Sequence, residues 1–252
     1  MNVNIDPNKF LPTEAINNLL GPSSKALGHS LGALFYFIFQ KPIKYGIIKE
    51  KEFDDLASKT SKELEQIPPE DKDSSKSGLI MKAMEEAQYQ LNEEDLRQMF
   101  ANLIASSANR QKNSFITPRF ATVLSQLGAD DARFFKLIVQ DAHYLLTYGY
   151  LIEYIEKKFG PYHNLTDKFF MTSNGNFMRL PQESVDVLSS LGLIKDTDLS
   201  YPDGEDINNI YTKIESTLKT YATSKNKELI EFKKGSITIT AFGELFAKAV
   251  LN

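Results

Sequence analysis

Residues 229–240 read Leu-Ile-Glu-Phe-Lys-Lys-Gly-Ser-Ile-Thr-Ile-Thr, and the conformation of this stretch decides the class of the protein. Apolar and polar residues run on either side of Lys233, Lys234 and Gly235, which predicts a small β-hairpin with the two lysines at its tip. Thr240 can then cap a last helix carrying Phe242, Leu245, Phe246, Ala249 and Val250. Upstream, Pro181 precedes a helical pattern of Val185, Leu188 and Leu191 that stops at Gly192, ahead of the short apolar pair Leu193-Ile194. Helix, Leu-Gly-Leu-Ile, hairpin and helix in that order predict a winged-helix-like α+β module.

Gly160-Pro161 and Asn174-Gly175-Asn176 are turn signals, and several stretches further upstream read helical. Leu79, Ile80, Ala83, Met84, Ala87 and Leu91 recur at helical spacing. Asn92 can cap a helix whose first turn holds Glu93, Glu94 and Asp95, acids suited to the positive end of a helix dipole. Thr117-Pro118 starts another helix that runs to Gly128, and Asp130 opens one through Phe134, Leu137 and Ile138 toward Tyr154. The charged stretch from Glu50 to about Ser77, ending in Pro68-Pro69 and an Asp/Ser/Lys run, reads as a solvated connection. The expected fold is therefore mainly α: an N-terminal helical region followed by the winged-helix-like module with its small β-hairpin. Its parts are a basic apolar segment over residues 1–51, a helical domain over 52–128 and the C-terminal module over 129–252.

The N-terminal segment is set apart by charge and by apolarity. Its acids are Asp6, Glu14 and Glu50, against Lys9, Lys25, Lys41, Lys44, Lys49 and Lys51. Residues 26–39 (ALGHSLGALFYFIF) carry no formal charge. As a helix they extend about 21 Å, short of the roughly 30 Å of a bilayer core. No small-x-small cleavage site follows Phe39, so a signal peptide is not expected and the protein is placed in the cytoplasm. Gly28 and Gly32 lie four apart and share one helix face with room for close packing. Two readings follow for this segment, with Leu31, Phe35 and Phe39 as its candidate interaction residues. One buries them within the fold or in self-association, and the other lays them with the flanking lysines on an anionic membrane surface.

Chemistry-bearing patterns are sparse. The 252 residues include no Cys, which removes disulfides and thiol catalysis. His29, His143 and His163 are scattered without a second ligand at metal spacing, so no metal and no cofactor is expected. Gly28-His29-Ser30-Leu31-Gly32 matches the G-x-S-x-G elbow of α/β-hydrolases, but it lacks the preceding strands that the elbow needs. No catalytic residue is assigned. Lys233 and Lys234 can touch phosphate as a DNA-binding wing does, yet residues 181–252 hold eight lysines and no arginine against eleven acids. An acidic module suits a protein partner better than a duplex, whose affinity comes largely from neutralised phosphates.

Leu19-Leu20-Gly21-Pro22 with Lys25-Ala26-Leu27-Gly28, then Asn92 to Ala105 (NEEDLRQMFANLIA), then Thr117-Pro118-Arg119-Phe120 through Leu127 and Asp131-Ala132 follow one another in an order that resembles the abortive-infection alpha family of bacteria. Leu191-Gly192-Leu193-Ile194 and Ile237 to Gly243 are similar to its closing segment. Phe100 stands where the family commonly shows tryptophan and Thr117 where it commonly shows histidine, and both changes fit packing or capping. The resemblance implies a largely helical cytoplasmic protein of defence against phage, and it supplies no mechanism. The expected function is a non-enzymatic defence protein acting through a protein partner, self-association or peripheral membrane contact. The alternatives are a winged-helix regulator binding DNA and an esterase at Ser30.

Overall fold

A computed structural model describes residues 30–142, 145–198, 202–222 and 227–251. In chain order the elements are α1 (Ser30–Lys44), α2 (Glu50–Glu65), α3 (Ser77–Ala87), α4 (Glu94–Ser107), α5 (Pro118–Ser125), α6 (Ala129–Gln140), β1 (Leu145–Tyr154), β2 (Tyr162–Asn164), β3 (Phe169–Met171) and β4 (Phe177–Arg179). They continue with α7 (Gln182–Ser190), β5 (Ile194–Asp198), α8 (Glu205–Tyr221), β6 (Ile230–Ile239) and α9 (Ala241–Val250). Helices take 57% and strands 17%, with the strands in one antiparallel sheet, so the class is mixed α+β and the expected mainly α fold is corrected. The chain divides into two compact units: the described residues of Met1–Ala132 with Leu245–Asn252, and Arg133–Glu244.

The first unit is helical. Helix α2 occupies much of the stretch expected as a solvated connection, because Phe53, Leu56, Ala57, Thr60 and Leu64 recur every three or four residues and are buried while the charges face out. Helix α4 starts after Glu93, with acids in its first turn as expected, although Glu93 rather than Asn92 takes the cap position. It is buried along most of its length and packs against α2, α3 and α5. The end of α9 is held by three side chains. Asn102 Nδ2 donates to the Val250 carbonyl at 2.8 Å, Ser106 Oγ to that of Ala249 at 2.9 Å, and Lys112 Nζ to that of Lys248 at 3.0 Å. Those carbonyls belong to the last turn, which has no partners of its own and carries the negative end of the dipole. Burial pushes the Lys112 ammonium below its ordinary pKa.

The second unit is built on the sheet β4-β3-β1-β6-β5, with β2 beside the end of β1. The predicted hairpin over residues 229–240 is absent: this stretch is largely one strand, β6, paired with β1 from Leu145↔Thr238 to Glu153↔Ile230 and with β5 on its other side. Gly235 is therefore not a turn residue. A Cβ there would lie 2.2 Å from the Tyr148 ring, and one at Gly149 would lie 2.2 Å from the ring of Phe232. Each glycine admits an aromatic ring across the ladder. The helix expected to run toward Tyr154 ends at Gln140, and β1 follows. Its residues are buried on both faces, so the two-residue alternation that marks a strand is missing from the sequence. Thr240 caps α9 as expected: its Oγ1 accepts from the Gly243 N–H at 2.9 Å. Helix α7 follows Pro181, and Gly192 takes φ +75°.

Candidate functional site

Of the residues singled out from sequence, Gly28 lies outside the described residues, as do His29 and His143. Leu31, Phe35 and Phe39 are buried within the chain, the two phenylalanines to 0% exposure. Phe35, Phe39 and Phe53 form one aromatic cluster, with ring centroids 5.3 to 6.1 Å apart. Gly32 is half-buried on the same helix. From Ser30 the elbow-like motif is helix. Lys233 and Lys234 are neighbours within β6, so alternation sends them to opposite faces of the sheet. Lys234 Nζ lies 4.9 Å from the centroid of the Tyr211 ring, and Lys233 joins a network on the other face.

That second face gathers what the sequence kept apart. Tyr148, Tyr150 and Tyr154 alternate along β1, and pairing with β6 sets Gly235, Lys233 and Glu231 beside them. Tyr148 is fully buried, and its hydroxyl donates to Asp196 Oδ1 of β5 at 2.7 Å. Lys168 Nζ donates to the same hydroxyl at 3.3 Å, lies 3.7 Å from Asp196 Oδ2, and sits 4.8 Å over the Tyr148 ring and 5.6 Å over that of Tyr150. Further along, Tyr154 donates to Glu231 Oε2 at 2.6 Å, and Lys233 Nζ donates to Glu231 Oε1 at 2.6 Å. The Lys233 and Tyr154 bonds hold the Glu231 carboxyl below its ordinary pKa despite burial, and Lys158 adds to the lowering. The same carboxylate raises Tyr154 and Lys233 above theirs. Phenol, carboxylate and ammonium are thus matched to one another in two short chains.

The opposite face, which carries Lys234 over the Tyr211 ring, is apolar around Leu151. Leu151, Ile214 and Leu218 form its core, with Phe169, Phe177, Ile230 and Phe232 packed around them. A cleft of about 610 Å³ opens at the end of α8, where Phe169 and Phe177 stack with centroids 4.8 Å apart and Asp167 pairs with Arg179 at 3.0 Å near the rim. Its aromatic wall and single charged edge can take a flat apolar group.

The network ends in an exposed hairpin. Beyond Tyr154 the chain turns through residues 155–161 into β2, whose three residues are all exposed. Ile155 is 62%, Phe159 88% and Tyr162 52% exposed, and buried Tyr154 lies under them with ring centroids 6.3 Å from Phe159 and 6.0 Å from Tyr162. Sequence reasoning missed both the tyrosine face and this hairpin. The signal present was Tyr-Gly-Tyr at 148–150 followed by Tyr154: aromatics at even positions around a glycine, which favour a strand over a helix.

Residues 48–250 match the model of the family described as Abortive infection alpha. The chain belongs to the abortive infection alpha family. The match covers both the sheet and most of the helical unit, so the tyrosine face and the hairpin lie inside the region that defines membership. No curated protein and no solved structure matches the chain. Among the described residues, no group of His, Asp and Glu is placed to hold a metal ion, and no helix is long and apolar enough to cross a membrane.

Proposed function

We propose that this chain is a non-enzymatic effector of phage defence that works in the cytoplasm by binding a protein or a membrane. The family supplies the defence context. The observation that carries the binding is the β1–β2 hairpin, which presents Ile155, Phe159 and Tyr162 to solvent from a preorganised aromatic base. Apolar side chains grouped on the surface mark sites of interaction. The paired tyrosine, lysine and carboxylate groups behind the hairpin suit a rigid support, since each is engaged by another side chain of the face.

Phage plating tests the reading. Cells expressing the full chain should give fewer plaques than cells without it, and Phe159→Gly should restore plating. Unchanged plaque counts across a broad phage panel, with host growth also unchanged, overturn the reading. Labelling of the chain by a serine-reactive fluorophosphonate, lost in Ser30→Ala, would replace it with the esterase reading.

A further inference from the structure

We infer that the β1–β2 hairpin is a membrane-docking tip that seats its aromatic side chains in the headgroup region of an anionic bilayer. This rests on the binding reading above and names its partner. Residues 155–159 and 161–164 are all exposed, and they read Ile-Glu-Lys-Lys-Phe and Pro-Tyr-His-Asn. Lys157 and Lys158 stand between the apolar groups Ile155 and Phe159, with Glu156 the single acid of the turn. Aromatic rings beside lysines match the chemistry of a headgroup layer, where rings sit at the interface and ammonium groups meet lipid phosphate.

Three features support a docking tip, and the first of them favours a bilayer over a protein partner. The first is size: a stable protein interface takes about 800 Å² and roughly 20–30 residues from each side, whereas a bilayer accepts the few apolar side chains of a single hairpin one by one. The second is backbone conformation. Phe159 has φ +67°, the left-handed region that glycine or asparagine occupies readily and phenylalanine does not. Strain is thus accepted at the position that holds the most exposed ring outward. The third is preorganisation. The Ile155 N–H donates to the Pro161 carbonyl at 2.9 Å and the Gly160 N–H to that of Lys157 at 3.1 Å, so the turn is formed before it meets a surface.

The test is co-sedimentation of the full chain with vesicles of phosphatidylglycerol and phosphatidylethanolamine, against vesicles of phosphatidylcholine. The chain should sediment with the anionic vesicles and not with the neutral ones. Lys157→Gln with Lys158→Gln should weaken partitioning about 25-fold, from about fivefold per lysine near an anionic surface. Phe159→Gly should weaken it roughly tenfold or more through lost apolar burial, while the melting temperature holds or rises because glycine relaxes the positive φ. Absence of the chain from anionic vesicles overturns the inference, as does unaltered sedimentation of both variants. Retardation of single-stranded RNA, or a protein complex, lost in the same variants while vesicles remain unbound also overturns it. A chain that restricts phage yet ignores vesicles leaves the binding reading standing without the membrane. A chain that sediments with anionic vesicles yet leaves phage plating and host growth unchanged overturns the defence reading and leaves the membrane inference standing.

Discussion

The helical unit and the sheet unit solve the same problem, polar groups inside a fold, by different means. In the helical unit polar side chains serve the backbone: buried Asn102 and Ser106 and half-buried Lys112 each give a hydrogen bond to a carbonyl in the last turn of α9. On the tyrosine face of the sheet unit side chains pair with side chains instead, as Tyr148 does with Asp196 and Tyr154 with Glu231. Aromatic packing differs in the same way. Phe35, Phe39 and Phe53 meet as helix faces, whereas Tyr148 and Phe232 lie over glycines on a neighbouring strand. A helix bundle tolerates changes that its faces can absorb, while a ring seated over a glycine leaves no slack. The exposed hairpin extends from this sheet at the end of β1.

The largest expected effect removes a ring from the helical cluster. Phe35→Ala should cost about 3–5 kcal/mol through lost burial and the cavity left beside Phe39 and Phe53. It is read as a lower urea midpoint at constant slope. A loss within a few tenths of a kcal/mol would mean that α1 is not core. The sheet side is broken best by adding an atom. A Cβ at Gly243 would fall 2.1 Å from the Leu193 carbonyl oxygen, which also accepts the Thr240 N–H at 3.0 Å and so cannot retreat freely. Gly243→Ala should cost about 3 kcal/mol by overpacking, read in the same titration.

How far each region could be read from sequence follows from the same contrast. Helices α3, α5, α7 and α9 announce themselves through a 3.6-residue period, joined at α5 and α7 by a starting proline and a glycine beyond the end and at α9 by the Thr240 cap, all local. The sheet was hidden because its signals are not local. In β6, Lys233-Lys234-Gly235 is the composition of a turn, and only Tyr148, far back in the chain, explains why glycine is needed there. In β1, burial on both faces erases the alternation. In α2, a majority of charged and polar residues concealed an inner face of Phe53, Leu56 and Leu64 that every-third-or-fourth spacing does reveal. The candidate interaction residues divide likewise. Aromatic composition marked out Leu31, Phe35 and Phe39, whereas Phe159 carries no mark in sequence apart from the flanking lysines.

A middle-sized effect tests the claim that helical-unit polar groups serve the backbone. Asn102 is buried; its Nδ2 meets the Val250 carbonyl and its Oδ1 accepts from Gln98 at 2.8 Å. Asn102→Ala should cost about 2 kcal/mol, the penalty for a buried carbonyl left without its donor. Asn102→Asp removes the donor and keeps the shape, so it should be no better than alanine. Recovery of stability in the aspartate variant would show that Asn102 acts by filling space and would remove the contrast with the sheet.

The smallest effect compares one carboxylate from each unit. Asp55 of α2 is raised by burial, but hydrogen bonds from Lys59 at 2.6 Å and Arg97 at 2.7 Å outweigh this and leave it below its ordinary pKa. Glu231 is lowered by Lys233 and Tyr154. Both folded-state values lie below those of the unfolded chain, so each group contributes stability above the unfolded pKa of about 4. That contribution is lost as pH falls through the lowered folded value. Asp55→Asn and Glu231→Gln should therefore each lower stability at pH 7 and approach the parent as the solution is acidified. The neutral-pH loss should stay under about 1 kcal/mol for either pair, since water reaches both. A difference from the parent that persists unchanged at low pH would assign the loss to shape instead of charge. Convergence for Glu231→Gln with persistence for Asp55→Asn would make the sheet's network the electrostatic one and the helical pair a matter of packing.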